Sequence, residues 1–202
     1  MATQKKQKQT KSKSIFESTG QNTEGIGPLI EALVTDLASH DDRTREKARH
    51  TLVAMGKDAV QSLIEALKDK RYFMRWEAAK ALGEISNADA APALVEALED
   101  EAFDVRWLAA IALIGMNVKG LKPLLHALME RGDSVLLQEG AHHVIHDLAK
   151  GGLRKYLAPV LAALEGLEPG EEVPWEAPQD MVMEVPWTAR HALDMLEKGK
   201  NI

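Results

Sequence analysis

The chain has 202 residues, no cysteine and a formal net charge of −6. These totals exclude disulfides and thiolate chemistry, leave any zinc site to histidines and carboxylates, and argue against a nucleic-acid footprint. Hydrophobic residues make up 45% but aromatic residues only 4%, so one domain of ordinary size can bury a core of Leu, Ala, Val and Ile, a helical palette.

In chain order, residues 1–26 come first. Lys5, Lys6, Lys8, Lys11 and Lys13 stand against Glu17 and Glu24, a local +3 that leaves −9 on the rest. Such a polar segment cannot offset its ordering entropy, and a disordered basic tail is expected, serving as a solubilising tail or as an arm for an acidic surface. No apolar h-region follows the lysines, so the segment does not read as a secretory signal. No apolar run approaches the roughly 20 residues that span a bilayer. A soluble, cytoplasmic protein is the expectation.

Helix pairs follow over 27–165. The first is expected at about 28–38 and 42–55, with Asp41 or Asp42 as N-cap and Gly56 closing it. The second is expected at about 58–68 and 72–82, closed by Gly83, and the third at 89–99 and 103–114, closed by Gly115. The fourth runs over about 119–130 and 134–149 with Asp133 as N-cap, and a fifth opens at Tyr156–Glu165 and closes with the last helix, 186–198, within the C-terminal stretch 186–202. The second helices carry the half-buried period: Val105, Leu108, Ala109, Ala112 and Leu113 match Met74, Glu77, Ala78, Ala81 and Leu82.

Residues 66–83 read ALKDKRYFMRWEAAKALG and residues 97–115 read ALEDEAFDVRWLAAIALIG, with Arg75 and Arg106 31 positions apart. A period of this length means a solenoid. The signature resembles the short HEAT-like repeat, the type also found in phycobilin lyases, over roughly residues 28–198. The resemblance implies an all-α, right-handed α-solenoid of about five helix pairs. It also implies that Asp69 with Arg75, and Asp100 with Arg106, pair along the ridge between repeats, with Arg45 in the same role beside Asp41 or Asp42. The fourth repeat departs, with Leu136 or Leu137 where Arg is expected.

Three groups are candidate sites. Trp76, Trp107 and Trp187 fall at one repeat position, with Lys80, Ile111 and His191 one turn later; on the concave side they form an anchor strip for a partner, or else they cover the joints between repeats. The acidic Pro-rich loop 166–185 repeats Glu-Val-Pro-Trp at 172–175 and 184–187. Its Trp175 is a docking peptide, a lid, or a plug capping the end of the core. His142 and His146 share a helix face at metal-ligating spacing, without a third ligand that the sequence names. The alternative for their neighbour is a surface His143 hydrogen-bonded by Glu139 or Asp147. No metal, cofactor or catalytic residue is expected. The expected function is a non-catalytic scaffold or adaptor that binds another protein or peptide, with no nucleic acid and no membrane. The alternative is a bilin-lyase-like chromophore accessory or another HEAT-like enzyme.

Overall fold

The computed structural model describes residues 23–166 and 184–199, so most of the basic tail and the acidic loop with Trp175 lie outside the described residues. The described residues are all helical and form a solenoid. In order they are α1 (Thr23–Asp36), α2 (Asp42–Met55), α3 (Lys57–Ala66), α4 (Tyr72–Ile85), α5 (Ala91–Glu96), α6 (Phe103–Met116), α7 (Val118–Arg131), α8 (Val135–Leu148), α9 (Arg154–Leu164) and α10 (Val185–Lys198). Short 3-10 turns, Ala88–Ala90 and Ala97–Glu99, flank α5.

The expected period positions bury one face of every helix. Leu52, Leu82, Leu113 and Val144 of the second helices meet Leu37, Leu63, Leu94 and Leu124 of the first-helix layer in one core. Alanines let the helices approach closely. Gly83 lies inside α4 rather than after it, and it serves packing instead of ending the helix: a Cβ there would stand 3.1 Å from Ala112 on the next second helix. The helix instead ends at Ser86, which takes the left-handed conformation. Gly115 likewise lies inside α6, which ends at Asn117. Ser134, not Asp133, caps α8 by accepting from the Leu137 N–H.

Four side chains repeat one bond. Arg45 donates to the carbonyl of Ser39 (2.8 Å), Arg75 to that of Asp69 (3.0 Å), Arg106 to that of Asp100 (2.9 Å) and Gln138 to that of Gly132. Each reaches back six residues to the turn that follows the preceding first helix. The fourth repeat is therefore one residue longer than the second-to-third spacing, and Gln138, not Leu136 or Leu137, holds the arginine position.

The ridge thus differs from the expectation. Within a repeat, Asp69 and Asp100 accept from Arg75 and Arg106 through the main chain. The Asp100 carboxylate pairs across repeats with Arg75, at 2.7 and 3.0 Å, and Glu101 adds a contact at 2.8 Å. The Asp69 carboxylate is taken by Arg71 in its own turn (2.8 and 2.9 Å). Arg45 reaches the Asp42 carboxylate and lies 3.5 Å from Glu77.

Glu77 sits in the inward stripe at 4% exposure, where the next repeat has Leu108. Its partner comes from the preceding repeat: Arg49, 5% exposed, bonds it at 3.0 Å. Removing one member of such a pair strands a buried charge, whereas replacing both with apolar groups is far milder.

The fifth pair breaks the pattern. Helix α10 packs on α7, in the first-helix layer, and on α9, rather than continuing the row of α2, α4, α6 and α8. Its apolar face, with Val185, Ala189, Ala192, Leu193 and Leu196 buried, covers the end of the first-helix layer. Lys122 of α7 meets Glu197 at 3.6 Å. Gly132 accommodates the crossing, since a Cβ there would stand 2.8 Å from Pro186. Trp187 therefore leaves the Trp76–Trp107 column.

Two predictions follow from these charges. Glu77→Ala should lower the unfolding free energy by about 3–5 kcal/mol, measured by urea titration, and Arg49→Ala with Glu77→Leu should cost less than that single change. The Arg71 side chain and then its N–H hold the Asp69 carboxyl down at about 2, from 3.8. The stability this gives is complete above about pH 4 and is lost as pH falls toward 2. Asp69→Asn should flatten that acid limb of the urea midpoint against pH.

Candidate functional site

Since the four reach-back bonds fix the rotation of α2, α4, α6 and α8, the residue after each bonding side chain falls in one column: Glu46, Trp76, Trp107 and Glu139. The turn before gives Asp42, Tyr72, Phe103 and Val135, and the turn after gives His50, Lys80, Ile111 and His143. The two central helices carry the aromatic residues and the outer helices most of the charges.

On α6 the spacing i, i+4, i+8 makes one stripe. Phe103, Trp107 and Ile111 are 64%, 45% and 44% exposed, and the Phe103 and Trp107 rings lie nearly parallel with centroids 6.4 Å apart. On α4 the column is sunk deeper. Tyr72 and Trp76 are half-buried against the core, and Lys80 lies over the Trp76 ring at 4.9 Å. Burial and then the bond that Tyr72 donates to Asp104 (2.9 Å) raise the Tyr72 phenol above its ordinary pKa. Arg45 lies over the exposed Phe73 ring at 4.2 Å.

Between α6 and α8 the stripe borders a cleft of about 160 Å³, lined by Phe103, Arg106, Trp107, Ala110, Glu139, Gly140 and His143. Gly140 lets α8 close on the preceding repeat: a Cβ there would stand 3.0 Å from Leu98. The His143 ring packs on Trp107 at 4.6 Å. Its Nε2 is buried and has no hydrogen-bond partner among the described residues. The expected bond from Glu139 or Asp147 is not formed: Asp147 instead accepts from Lys150 at 2.8 Å.

The other candidates separate. Trp187 stacks on His191 (5.4 Å, 6°) on α10, away from the column. The His142 and His146 rings stack at 6.0 Å, and His142 Nε2 stands 3.3 Å from Glu165. No three His, Asp or Glu side chains among the described residues are grouped to hold a metal. Trp175 is outside the described residues. Phe103 is the residue that sequence reasoning missed, although the i, i+4, i+8 spacing of Phe103, Trp107 and Ile111 was a usable signal. His143, expected on the helix surface, instead packs on Trp107, a placement that the extra residue in the fourth repeat hid.

Residues 26–114 match the family described as HEAT repeats. No curated protein matches the chain. A crystal structure of an engineered protein from the Northeast Structural Genomics Consortium is 21% identical, covers 84% of this chain and 80% of its own, and superposes with a TM-score of 0.39. No helix among the described residues is long and apolar enough to cross a membrane.

The two columnar tryptophans should separate in stability. Trp76→Ala removes a ring wedged against the core and should approach the roughly 3–5 kcal/mol of a buried aromatic loss, whereas Trp107→Ala should cost well under that. Urea denaturation of the two variants checks the order; equal losses would make both rings packing residues.

Proposed function

We propose that the protein is a non-catalytic scaffold or adaptor that binds another protein or peptide on its second-helix face. The carrying observation is the stripe of Phe103, Trp107 and Ile111, three large apolar side chains in a row, each more than two-fifths exposed. Single exposed apolar residues are ordinary, but a contiguous row beside a cleft is the mark of an interaction surface. Rigid aromatics of this kind supply most of the energy at protein interfaces. The match to HEAT repeats supports the same reading, since such repeats commonly mediate protein interactions. Trp76 and Lys80 extend the face toward α2. Trp187 stands on α10, outside this stripe, and Trp175 lies outside the described residues.

The phycobilin-lyase resemblance rests on the repeat signature, which scaffolds and enzymes share.

A photoreactive side chain at Phe103 should crosslink a partner from the protein's native extract, and the same group at Met195 on α10 should not. With that partner purified, Trp107→Ala should weaken binding by about 30-fold, the scale of a hot-spot aromatic, at nearly unchanged stability. Crosslinking from Met195 alone, or full affinity in the Trp107→Ala variant, would move the surface elsewhere.

A further inference from the structure

The ridge arginines differ in one respect. Arg45 meets Asp42 and Glu77, and Arg75 meets Asp100 and Glu101. Arg106 bonds only the main-chain carbonyls of Asp100 and Glu101, both through Nη1, and meets no carboxylate among the described residues. The cause lies one repeat on. The partner that Arg75 finds in Asp100 would, for Arg106, stand at position 132, and that residue is Gly132, where a Cβ would stand 2.6 Å from the Leu128 carbonyl oxygen and 2.8 Å from Pro186 of α10. Arg106 is thus left without the anion that its counterpart Arg75 binds.

The half-buried Arg106 lines the cleft together with Phe103, Trp107 and His143. Its guanidinium lies 5.6 Å over the Phe103 ring, which fixes the fork beside the apolar wall. The His143 ring closes the same cleft against Trp107, with its Nε2 turned away from solvent and without a partner among the described residues. The volume of about 160 Å³ falls below the roughly 300–1,000 Å³ of small-molecule sites and suits a single apolar side chain. We infer that this cleft binds an acidic peptide, its carboxylate on the Arg106 guanidinium and the neighbouring apolar side chain against Phe103 and Trp107. A guanidinium fork matches a carboxylate with two parallel bonds, and partial burial protects that pair from screening. Glu139 stands exposed on the rim and repels any second acid, which limits the motif to one carboxylate at this point. The inference rests on the second-helix face being a peptide-binding surface and adds the chemistry of what it binds.

The test uses the full chain, labelled with nitrogen-15, and follows the indole N–H of Trp107 by NMR. The probes are acetyl-Leu-Glu-Phe amide and its counterparts with Gln and with Lys in place of Glu. The Glu probe should shift the Trp107 signal saturably, and the Gln probe should bind at least about fivefold more weakly, the scale of losing one charge-assisted pair. Arg106→Gln should erase that preference while the fold persists, because Gln138 already makes the same reach-back bond in the fourth repeat. Equal binding of the Glu and Gln probes, unchanged by Arg106→Gln, would overturn the carboxylate inference and leave the apolar surface standing. Preference for the Lys probe, lost in Glu139→Gln, would overturn it in favour of a cationic motif. No shift of Trp107 with any probe would overturn it as well, whereas the surface itself stands or falls on the crosslinking from Phe103.

Discussion

The organisation of the protein depends on one bond made four times: a long side chain near the start of α2, α4, α6 and α8 donating to a carbonyl in the turn before that helix. A main-chain carbonyl in a tight turn between two helices has no place in either helix's hydrogen-bond ladder and needs a donor from elsewhere. A guanidinium supplies it and keeps further N–H groups for other acceptors. In Arg45, Arg75 and Arg106 it also fixes the rotation of the second helix about its axis. Gln138 does the same with a neutral amide, so the hydrogen bond rather than the charge is the shared requirement. Because the rotation is fixed, the next residue always points to the same face, and a row of exposed side chains becomes a surface.

Between repeats the cohesion changes character along the chain. The first junction is ionic, with Arg45 and Arg49 converging on the buried Glu77. The second is mixed: Arg75 grips Asp100 while Ala112 presses on Gly83. The third is held by apolar contacts and by Ser134 and Arg131 on Glu99. Ionic junctions are specific but contribute little net stability once desolvation is counted. The cleft opens at the third junction, where the run of carboxylate partners for the ridge arginines has ended.

Much of this was legible in the residues. The spacing of Arg75 and Arg106, and the matching stripes of Met74, Ala78, Leu82 and Val105, Ala109, Leu113, are local and periodic, and the helix pairs follow from them. What was not legible depends on neighbours distant in sequence. Gln138 escaped because Arg and Gln share a reach but not a type, and because the fourth repeat is longer by one residue. That single insertion also hid the contact of His143 with Trp107. Trp187 was misplaced because Val-Pro-Trp copies the local pattern of Val105-Arg106-Trp107. The layer it joins was decided instead by which apolar surface, that of α7, stood uncovered. The Asp69 side chain went to Arg71 since a partner two residues away needs less chain ordering than one across a repeat.

The packing of α10 on α7 has a consequence for how the molecule comes apart. In a regular solenoid each repeat touches only its neighbours, and the end can fray one helix pair at a time. Here 185–198 is laid over 118–131, skipping the intervening α8 and closing a long loop of chain. Helix α7 loses its cover as soon as α10 lifts, and α9 loses its main neighbour in the same event. Lifting α10 thus uncovers α7 and α9 together, whereas α1 and α2 at the other end can fray one after the other. Closing that loop also has to precede the contacts that reward it, an entropic cost that the helix pairs joined by short turns do not carry.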